Sequence, residues 1–236
     1  MTLPDQEEVV LRDGSTIFVR PIRPTDRPLF LEGMKYISKE TWLYRFLMPR
    51  DHLEEAELDY LLSPDGVTHL AIGAAAPKPD GSQDPVAVAR YVVMEDQGHV
   101  AECAILVVDH WQGRGVGRVM GERLMQAARD RGVRAFHCEI LLGNDRMKTL
   151  LRRLAPDAHS HVVGSHVIFR VPLVPGALDE FAEPELDAEG GSTGGGEKKP
   201  KRLDWASWTG RWKVSMFWRS KEAEGGEEEA DAGEAP

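Results

Sequence analysis

The 236-residue sequence contains few cysteines and no excess of positive charge. Its two cysteines, Cys103 and Cys138, are too few for a disulfide framework and too far apart for a CxxC motif. Because no signal peptide precedes them, they favour a reducing, cytoplasmic environment. The sequence lacks an apolar run of about 18 residues, so we expect no membrane-spanning helix. A net charge of −10 argues against general nucleic-acid binding, which needs a basic surface.

Composition changes near residue 176. Residues 177–236 contain 15 acidic and 8 basic residues, which gives them seven of the ten net negative charges. They also include a glycine-rich run at 190–196. A segment of this composition buries too little apolar surface to offset its conformational entropy. We therefore predict one folded domain, residues 1–176, followed by a largely disordered extension, residues 177–236.

One part of this extension is unlike the rest. Residues 198–219 carry seven basic residues against one acidic residue, together with four tryptophans. Trp205, Trp208, Trp212 and Met216 recur at helical spacing, which is typical of a basic amphipathic helix. Three interpretations stay open: this segment docks on the domain or on a partner protein, binds an anionic membrane surface peripherally, or remains unfolded.

The first 176 residues alternate between strand-like and helix-like hydrophobic patterns. Strands are predicted at 16–20, 68–74, 85–94, 102–108 and 135–142, helices at 53–62, 115–130 and 145–154, and a hairpin at 162–171. Such alternation indicates an α/β domain with a mixed sheet flanked by helices.

The most informative segment is the glycine-rich run 112–117 (QGRGVG), which lies between a buried strand and an amphipathic helix. Glycines allow a ligand to approach the backbone closely, and the first N–H groups of a helix lack intrahelical partners. With the helix dipole, these groups form an anion site suited to a pyrophosphate, and Arg114 and Arg118 add positive charge. The spacing alone equally allows a tight turn that binds nothing.

This run resembles the Q/R-x-x-G-x-G/A acetyl-CoA loop of the GNAT N-acetyltransferase superfamily. Further similarity to the catalytic domain of bacterial Pat-type protein lysine acetyltransferases lies at 11–14, 19–26, 44–46, 101–104 and 143–147. The resemblance covers roughly residues 9–173. It implies the GNAT fold, in which the sheet splays at its centre, with acetyl-CoA as co-substrate and a primary amine, above all a protein lysine, as acceptor.

The resemblance also implies which residues hold acetyl-CoA. Backbone groups of the strand before the loop would bond the pantetheine arm: Leu106, Val107 and Val108. The N–H groups that would hold the pyrophosphate belong to Gln112, Gly113, Gly115, Val116, Gly117 and Arg118. Asn144, in the next strand–helix loop, would contact the cofactor as well.

Glu102 occupies the family position of the catalytic base. A lysine-type amine has a pKa of about 10.4 and reacts only when neutral, so a carboxylate that takes its proton is needed. The alternative for Glu102 is an ordinary strand-end residue that faces water. One departure from the family is that residues 147–153 contain no tyrosine to protonate the leaving thiolate, so the general acid is unassigned. A second is that 154–156 (LAP) replaces the usual Leu-Gly-Phe.

Other chemistry has weaker signals. His159, His161 and His166 lack an acidic or cysteine partner at metal-ligand spacing, so we expect no metal site. Cys103 has no paired histidine, and its apolar neighbours favour a buried, inert thiol. Two alternatives to a lysine acetyltransferase remain: a non-catalytic sensor or adaptor that binds acetyl-CoA or CoA and acts through the tryptophan-rich segment, and transfer to a small-molecule or N-terminal amine instead of a lysine.

Overall fold

A computed structural model of the protein describes residues 4–94 and 99–178. The tryptophan-rich segment and the rest of the extension from residue 179 lie outside the described residues, so their disorder and their partners stay predictions. Ala177 is fully buried, so the packed part of the chain extends just beyond the composition change at residue 176.

The described strands form a single eight-stranded sheet. They are β1 (Glu7–Val10), β2 (Thr16–Pro21), β3 (His69–Pro77), β4 (Gln83–Val93), β5 (Val100–Val107), β6 (Ala135–Leu141), β7 (His159–Val163) and β8 (His166–Pro172). Their order across the sheet is β1-β2-β3-β4-β5-β6-β8-β7. Every neighbouring pair is antiparallel except β5 and β6, which run parallel. The predicted mixed sheet is confirmed.

In the described residues, five α-helices cover the sheet: α1 (Arg27–Met34), α2 (Lys39–Phe46), α3 (Glu55–Leu62), α4 (Val116–Arg129) and α5 (Asp145–Leu154). The first three pack together on one face, and α4 and α5 pack on the other. The sequence pattern missed β1, because four half-exposed residues carry too little periodicity. Within the described part of the chain, every helix is too short or too polar to cross a membrane.

Two glycines of α4 face α5 at close range. A Cβ atom added at Gly121 would overlap the end of the Leu154 side chain, and one added at Gly117 would lie 3.2 Å from the end of the Leu150 side chain. A larger residue at either position would require a leucine of α5 to shift. The packing therefore sets the loop before α5 against the glycine-rich loop before α4.

The sheet opens between its two parallel strands. Pairing of β5 with β6 runs only from Val100–Ala135 to Glu102–His137, whereas β6 stays paired with β8 along its whole length. Beyond Glu102 the two strands separate, which confirms the predicted splay. The resulting opening, called the β5–β6 gap below, leads toward the loops that precede α4 and α5.

A buried polar pair, His69 on β3 and Arg90 on β4, lies near α3. His69 and Arg90 are 6% and 3% exposed. Arg90 Nη1 lies 3.1 Å from His69 Nε2, and its Nη2 donates to the Leu61 carbonyl at 3.0 Å. Since arginine has only donors, His69 Nε2 is the acceptor and the imidazole is neutral. Burial and the nearby Arg90 charge lower the pKa of His69 to about 4.

This lowered pKa predicts a loss of stability in mild acid. The unfolded chain binds a proton at His69 near pH 6.5 and the folded chain near pH 4. Neutral His69 therefore contributes its full stabilisation of the folded state above pH 6.5, and this contribution declines as the pH falls toward 4. The loss in the free energy of unfolding amounts to about 3 kcal/mol. Glutamine accepts the same hydrogen bond without titrating. The free energy of unfolding of His69→Gln, measured in urea, should therefore fall less steeply over this pH range than that of wild type. The exposed His159→Gln should match wild type; identical slopes for His69→Gln and wild type would refute the assignment.

Candidate active site

The carboxyl side chain of Glu102 lies at the start of the β5–β6 gap. Glu102 is the last β5 residue in register with β6, and its side chain is partly exposed. Because side chains alternate along a strand, Glu102 and Leu106 share a face. Leu106 packs against Ile37 and Trp42. The Glu102 carboxyl group therefore points to the face that carries α2.

Charged neighbours tune this carboxyl group. Burial raises the pKa of Glu102 to about 8, Arg45 on α2 opposes the rise, and the like charge of Glu139 on β6 adds to it. The Arg45 guanidinium stacks over the Phe46 ring at 4.8 Å. A carboxyl group that titrates near neutral pH in a cleft is suited to accept and return protons.

Hydrogen bonds fix α2 over the open end of the β5–β6 gap. Asp109, just after β5, accepts from the Ser38 backbone N–H at 3.0 Å and from the Thr41 hydroxyl at 2.7 Å. On the other side, the Tyr44 hydroxyl donates to the Gly143 carbonyl at 3.1 Å. The helix that carries Arg45 is thus attached to both loops that border the gap.

The glycine-rich loop presents several backbone donors. Gly113 and Gly115 have φ values of +78° and +93°, which glycine adopts without strain, and α4 begins directly afterwards. No described residue accepts a hydrogen bond from the N–H groups of Gly113, Gly115, Val116 or Gly117. The other two N–H groups predicted to face the ligand, those of Gln112 and Arg118, donate instead to the Asp109 and Gly115 carbonyls, each at 3.1 Å.

The two arginines of this loop lie in exposed ion pairs. Arg114 Nη1 is 3.7 Å from Asp13 Oδ2, with its guanidinium 4.7 Å from the Trp111 ring centre. Arg118 Nε donates to Glu122 at 2.7 Å. Exposed pairs of this kind contribute little to stability. Both arginines keep their charge close to the loop.

Gln112 links the two sides of the β5–β6 gap. Its Nε2 donates to the Val107 carbonyl at 3.0 Å, while its Oε1 accepts from Arg146, which comes from the first turn of α5. The sequence predicted only a backbone role for Gln112 and no role for Arg146. No pattern in the sequence indicated this contact, which joins residues 34 positions apart.

Three residues at the end of β5 and just after it were predicted to bond the pantetheine arm, and only Val107 points its backbone groups to the gap. The Val108 N–H donates to Val86 on the β4 side at 2.9 Å. Because backbone groups alternate along an antiparallel pair, Leu106 also points toward β4, and Val107 and Ile105 point away from it. The prediction for Leu106 and Val108 is wrong for this reason.

Asn144 caps α5. Its side-chain oxygen accepts from the Met147 N–H at 3.1 Å, and the residue is 8% exposed. The oxygen is therefore engaged in a helix cap. The side-chain amide nitrogen of Asn144 takes no part in this cap.

Two sequence-based expectations concerned histidines and cysteines. His159 and His161 are exposed, and His166 Nε2 lies 3.6 Å from Glu139. Among the described residues, no three His, Cys, Asp or Glu side chains are grouped to hold a metal ion. The expectation that Cys103 is a buried, inert thiol is wrong about its burial: the residue is partly exposed, and its Sγ lies 2.9 Å from that of Cys138.

The comparisons with known proteins agree with this architecture. Residues 32–155 match the Acetyltransferase (GNAT) family. Acetyltransferase PA5475 of Pseudomonas aeruginosa is 30% identical over 140 residues, which are 59% of this chain and 74% of the relative. Acetyltransferase Pat of Mycolicibacterium smegmatis is 33% identical over 147 residues, which are 62% of this chain but only 43% of that longer protein.

A solved structure is also similar along nearly its whole length. The GNAT domain of S. lividans PAT is 28% identical, with a TM-score of 0.64, and the match covers 71% of this chain and 96% of that one.

Proposed function

Since the chain belongs to the GNAT acetyltransferase family, we propose that it transfers the acetyl group of acetyl-CoA to a primary amine, in the first place the ε-amine of a protein lysine, with Glu102 as the general base. The observation that carries this proposal is a titratable carboxyl group at the start of a sheet opening that is bordered by free backbone donors. The resemblance to Pat-type protein lysine acetyltransferases supports lysine as the acceptor.

The residues around the β5–β6 gap fit acetyl-CoA. The four free N–H groups of Gly113, Gly115, Val116 and Gly117, at the positive end of α4, suit the pyrophosphate. The Val107 backbone N–H lies on the unpaired edge of β5, where an amide of the pantetheine arm would extend the sheet, whereas the Val107 carbonyl already accepts from Gln112. The Asn144 side-chain amide adds a donor on the opposite side of the gap.

Glu102 would act on the acceptor in a ternary complex. Its ionised carboxylate takes a proton from the ammonium group, directly or through one water molecule. The neutral amine nitrogen then attacks the thioester carbon, the new C–N bond forms, and the C–S bond breaks. The second proton of the nitrogen passes, directly or through water, to the departing CoA thiolate, which leaves as the thiol. No acyl-enzyme is needed, because the amine is itself the nucleophile.

This role of Glu102 predicts a steep pH dependence. Below pH 8 most Glu102 is protonated and inactive as a base, so kcat/KM should rise about tenfold per pH unit and level off above pH 8. Arg45→Met removes the charge that lowers the pKa of Glu102 and should move this rising limb of the kcat/KM profile to higher pH. Glu139→Gln removes the charge that raises it and should move the limb to lower pH.

The measurement is kcat/KM for one acceptor between pH 6 and 9.5 in all three proteins, with acetyl-CoA saturating. Opposite displacements of the limb in the two variants would connect it to Glu102, because both lie in electrostatic reach of that carboxyl group. A limb that stays in place in both variants would assign the titration to the acceptor amine instead.

A further inference from the structure

The two cysteines of the chain meet at the start of the β5–β6 gap. Cys103 on β5 and Cys138 on β6 are 35 residues apart in sequence, yet their sulfur atoms lie 2.9 Å from each other. Both are free thiols. The ladder between the strands ends at Glu102–His137, so this cysteine pair is the next step of the register, where the strands separate.

The two cysteines differ in exposure. Cys103 is partly exposed, whereas Cys138 is 3% exposed inside the core formed with α4 and α5. The hydrogen bond with Cys103, reinforced by burial, raises the pKa of Cys138 well above its usual value. A thiol that is reached by solvent reacts first with an oxidant, and a neighbouring protonated thiol then resolves the product.

We propose that Cys103 and Cys138 are a redox modification site, in which hydrogen peroxide or an organic hydroperoxide converts the two thiols into an intramolecular disulfide. The Cys103 thiolate attacks a peroxide oxygen, the O–O bond breaks, and Cys103 becomes a sulfenic acid while water or an alcohol leaves. The Cys138 sulfur then attacks the Cys103 sulfur, the S–S bond forms, and a second water leaves. The two thiols lose two electrons and two protons, and the peroxide gains them.

The disulfide would act where acetyl-CoA has to enter. Cys103 adjoins Glu102 in the chain, and its backbone groups, like those of Val107, point away from β4. A covalent link fixes β5 to β6 one residue pair beyond the present ladder. This consequence rests on the proposed function: if the pantetheine arm enters the β5–β6 gap, oxidation should weaken acetyl-CoA binding about tenfold, a usual size for coupling between two sites.

The direct test reads the bond itself. Reduced full-length protein is treated with hydrogen peroxide, the remaining thiols are alkylated, and a non-reduced digest is analysed by mass spectrometry. Since the chain has only two cysteines, we expect loss of both alkylation sites, a peptide pair that joins Cys103 to Cys138, and recovery of both thiols after dithiothreitol. Protein that keeps two free thiols, or that forms only intermolecular dimers, would overturn the proposal.

Two variants show which sulfur reacts first. Cys138→Ser removes the resolving thiol, so a sulfenic acid at Cys103 should accumulate and be trapped by dimedone. Cys103→Ser leaves only the buried thiol and should react at least tenfold more slowly with the same peroxide. Equal rates in both variants would refute the assigned roles, and circular dichroism of each variant checks that it is folded.

Acetyl-CoA titration of the reduced and oxidised proteins gives the second readout. A tenfold loss of affinity that dithiothreitol reverses, and that Cys103→Ser lacks, would establish the coupling. Disulfide formation in a protein that never binds acetyl-CoA would leave the redox site standing and refute the proposed function. Equal affinity of reduced and oxidised protein would refute the coupling.

Discussion

Glu102→Gln should lower the rate of acetyl transfer by about 10²–10⁴-fold while the affinity for acetyl-CoA stays within a factor of two or three. Glutamine has the size and hydrogen-bonding reach of a protonated glutamate but cannot take a proton from the acceptor amine. The loss should therefore appear in kcat, because the contacts proposed for acetyl-CoA lie elsewhere, at the loop before α4 and along the unpaired edge of β5.

The variant has two internal checks. Glu8→Gln changes an exposed carboxyl group on the outer strand β1 and should keep the wild-type rate. The wild-type rate should level off above pH 8, where Glu102 is ionised, whereas the Glu102→Gln rate should keep rising up to pH 9, because that variant depends on the neutral amine already present in solution. A variant that keeps wild-type kcat would remove Glu102 from the chemistry, and one that loses rate and affinity in proportion would assign it to binding.

Gly115→Glu should weaken acetyl-CoA binding by about 100-fold or more. Gly115 has a φ of +93°, and a Cβ atom there meets no atom within 4 Å, so a new side chain projects from the loop into open space. Its carboxylate would lie among the free N–H groups at the start of α4 and would repel a pyrophosphate. The left-handed backbone conformation adds strain of about 1 kcal/mol. This strain lowers the stability of the fold, whereas the repulsion of the pyrophosphate comes from the added charge.

Two matched variants separate these effects. Gly115→Gln carries the same strain and nearly the same volume without the charge, so it should lose clearly less affinity than Gly115→Glu. Gly132→Glu introduces the same charge at a φ of +80° beyond the other end of α4, about 25 Å along the helix axis. It should lose similar thermal stability and keep wild-type affinity in a calorimetric titration. Equal affinity in Gly115→Glu and Gly132→Glu would place the anion site elsewhere.

Local patterns predicted much of this fold because they depend on neighbouring residues. The bounds of α5 were predicted without error, and those of α4 within one residue. Their apolar faces recur every three to four positions and their ends carry capping signals. The glycine-rich loop was recognisable because it changes from strand to helix within a few residues. The family resemblance then predicted the general base at Glu102, which no periodicity distinguishes from an ordinary strand-end glutamate.

Contacts between distant segments were not predictable in this way. Arg45 near Glu102, Tyr44 at Gly143 and the two cysteines each join elements far apart in the chain. Such pairs follow from the order of strands in the sheet, which hydrophobic spacing does not encode. The backbone directions of Leu106 and Val108 also depended on the hydrogen-bonding phase of β5 with β4, which appears only once the register is known.

The most direct test of the account is transfer of an isotopically heavy acetyl group from acetyl-CoA to peptides with blocked amino-termini. Each peptide contains one lysine, and a matched peptide carries arginine in its place. Mass spectrometry should find the heavy acetyl group on lysine peptides with wild-type protein, at about 10²–10⁴-fold lower rate with Glu102→Gln, and on no arginine peptide. Wild-type protein that binds acetyl-CoA in the same buffer and leaves every lysine unlabelled would contradict the account.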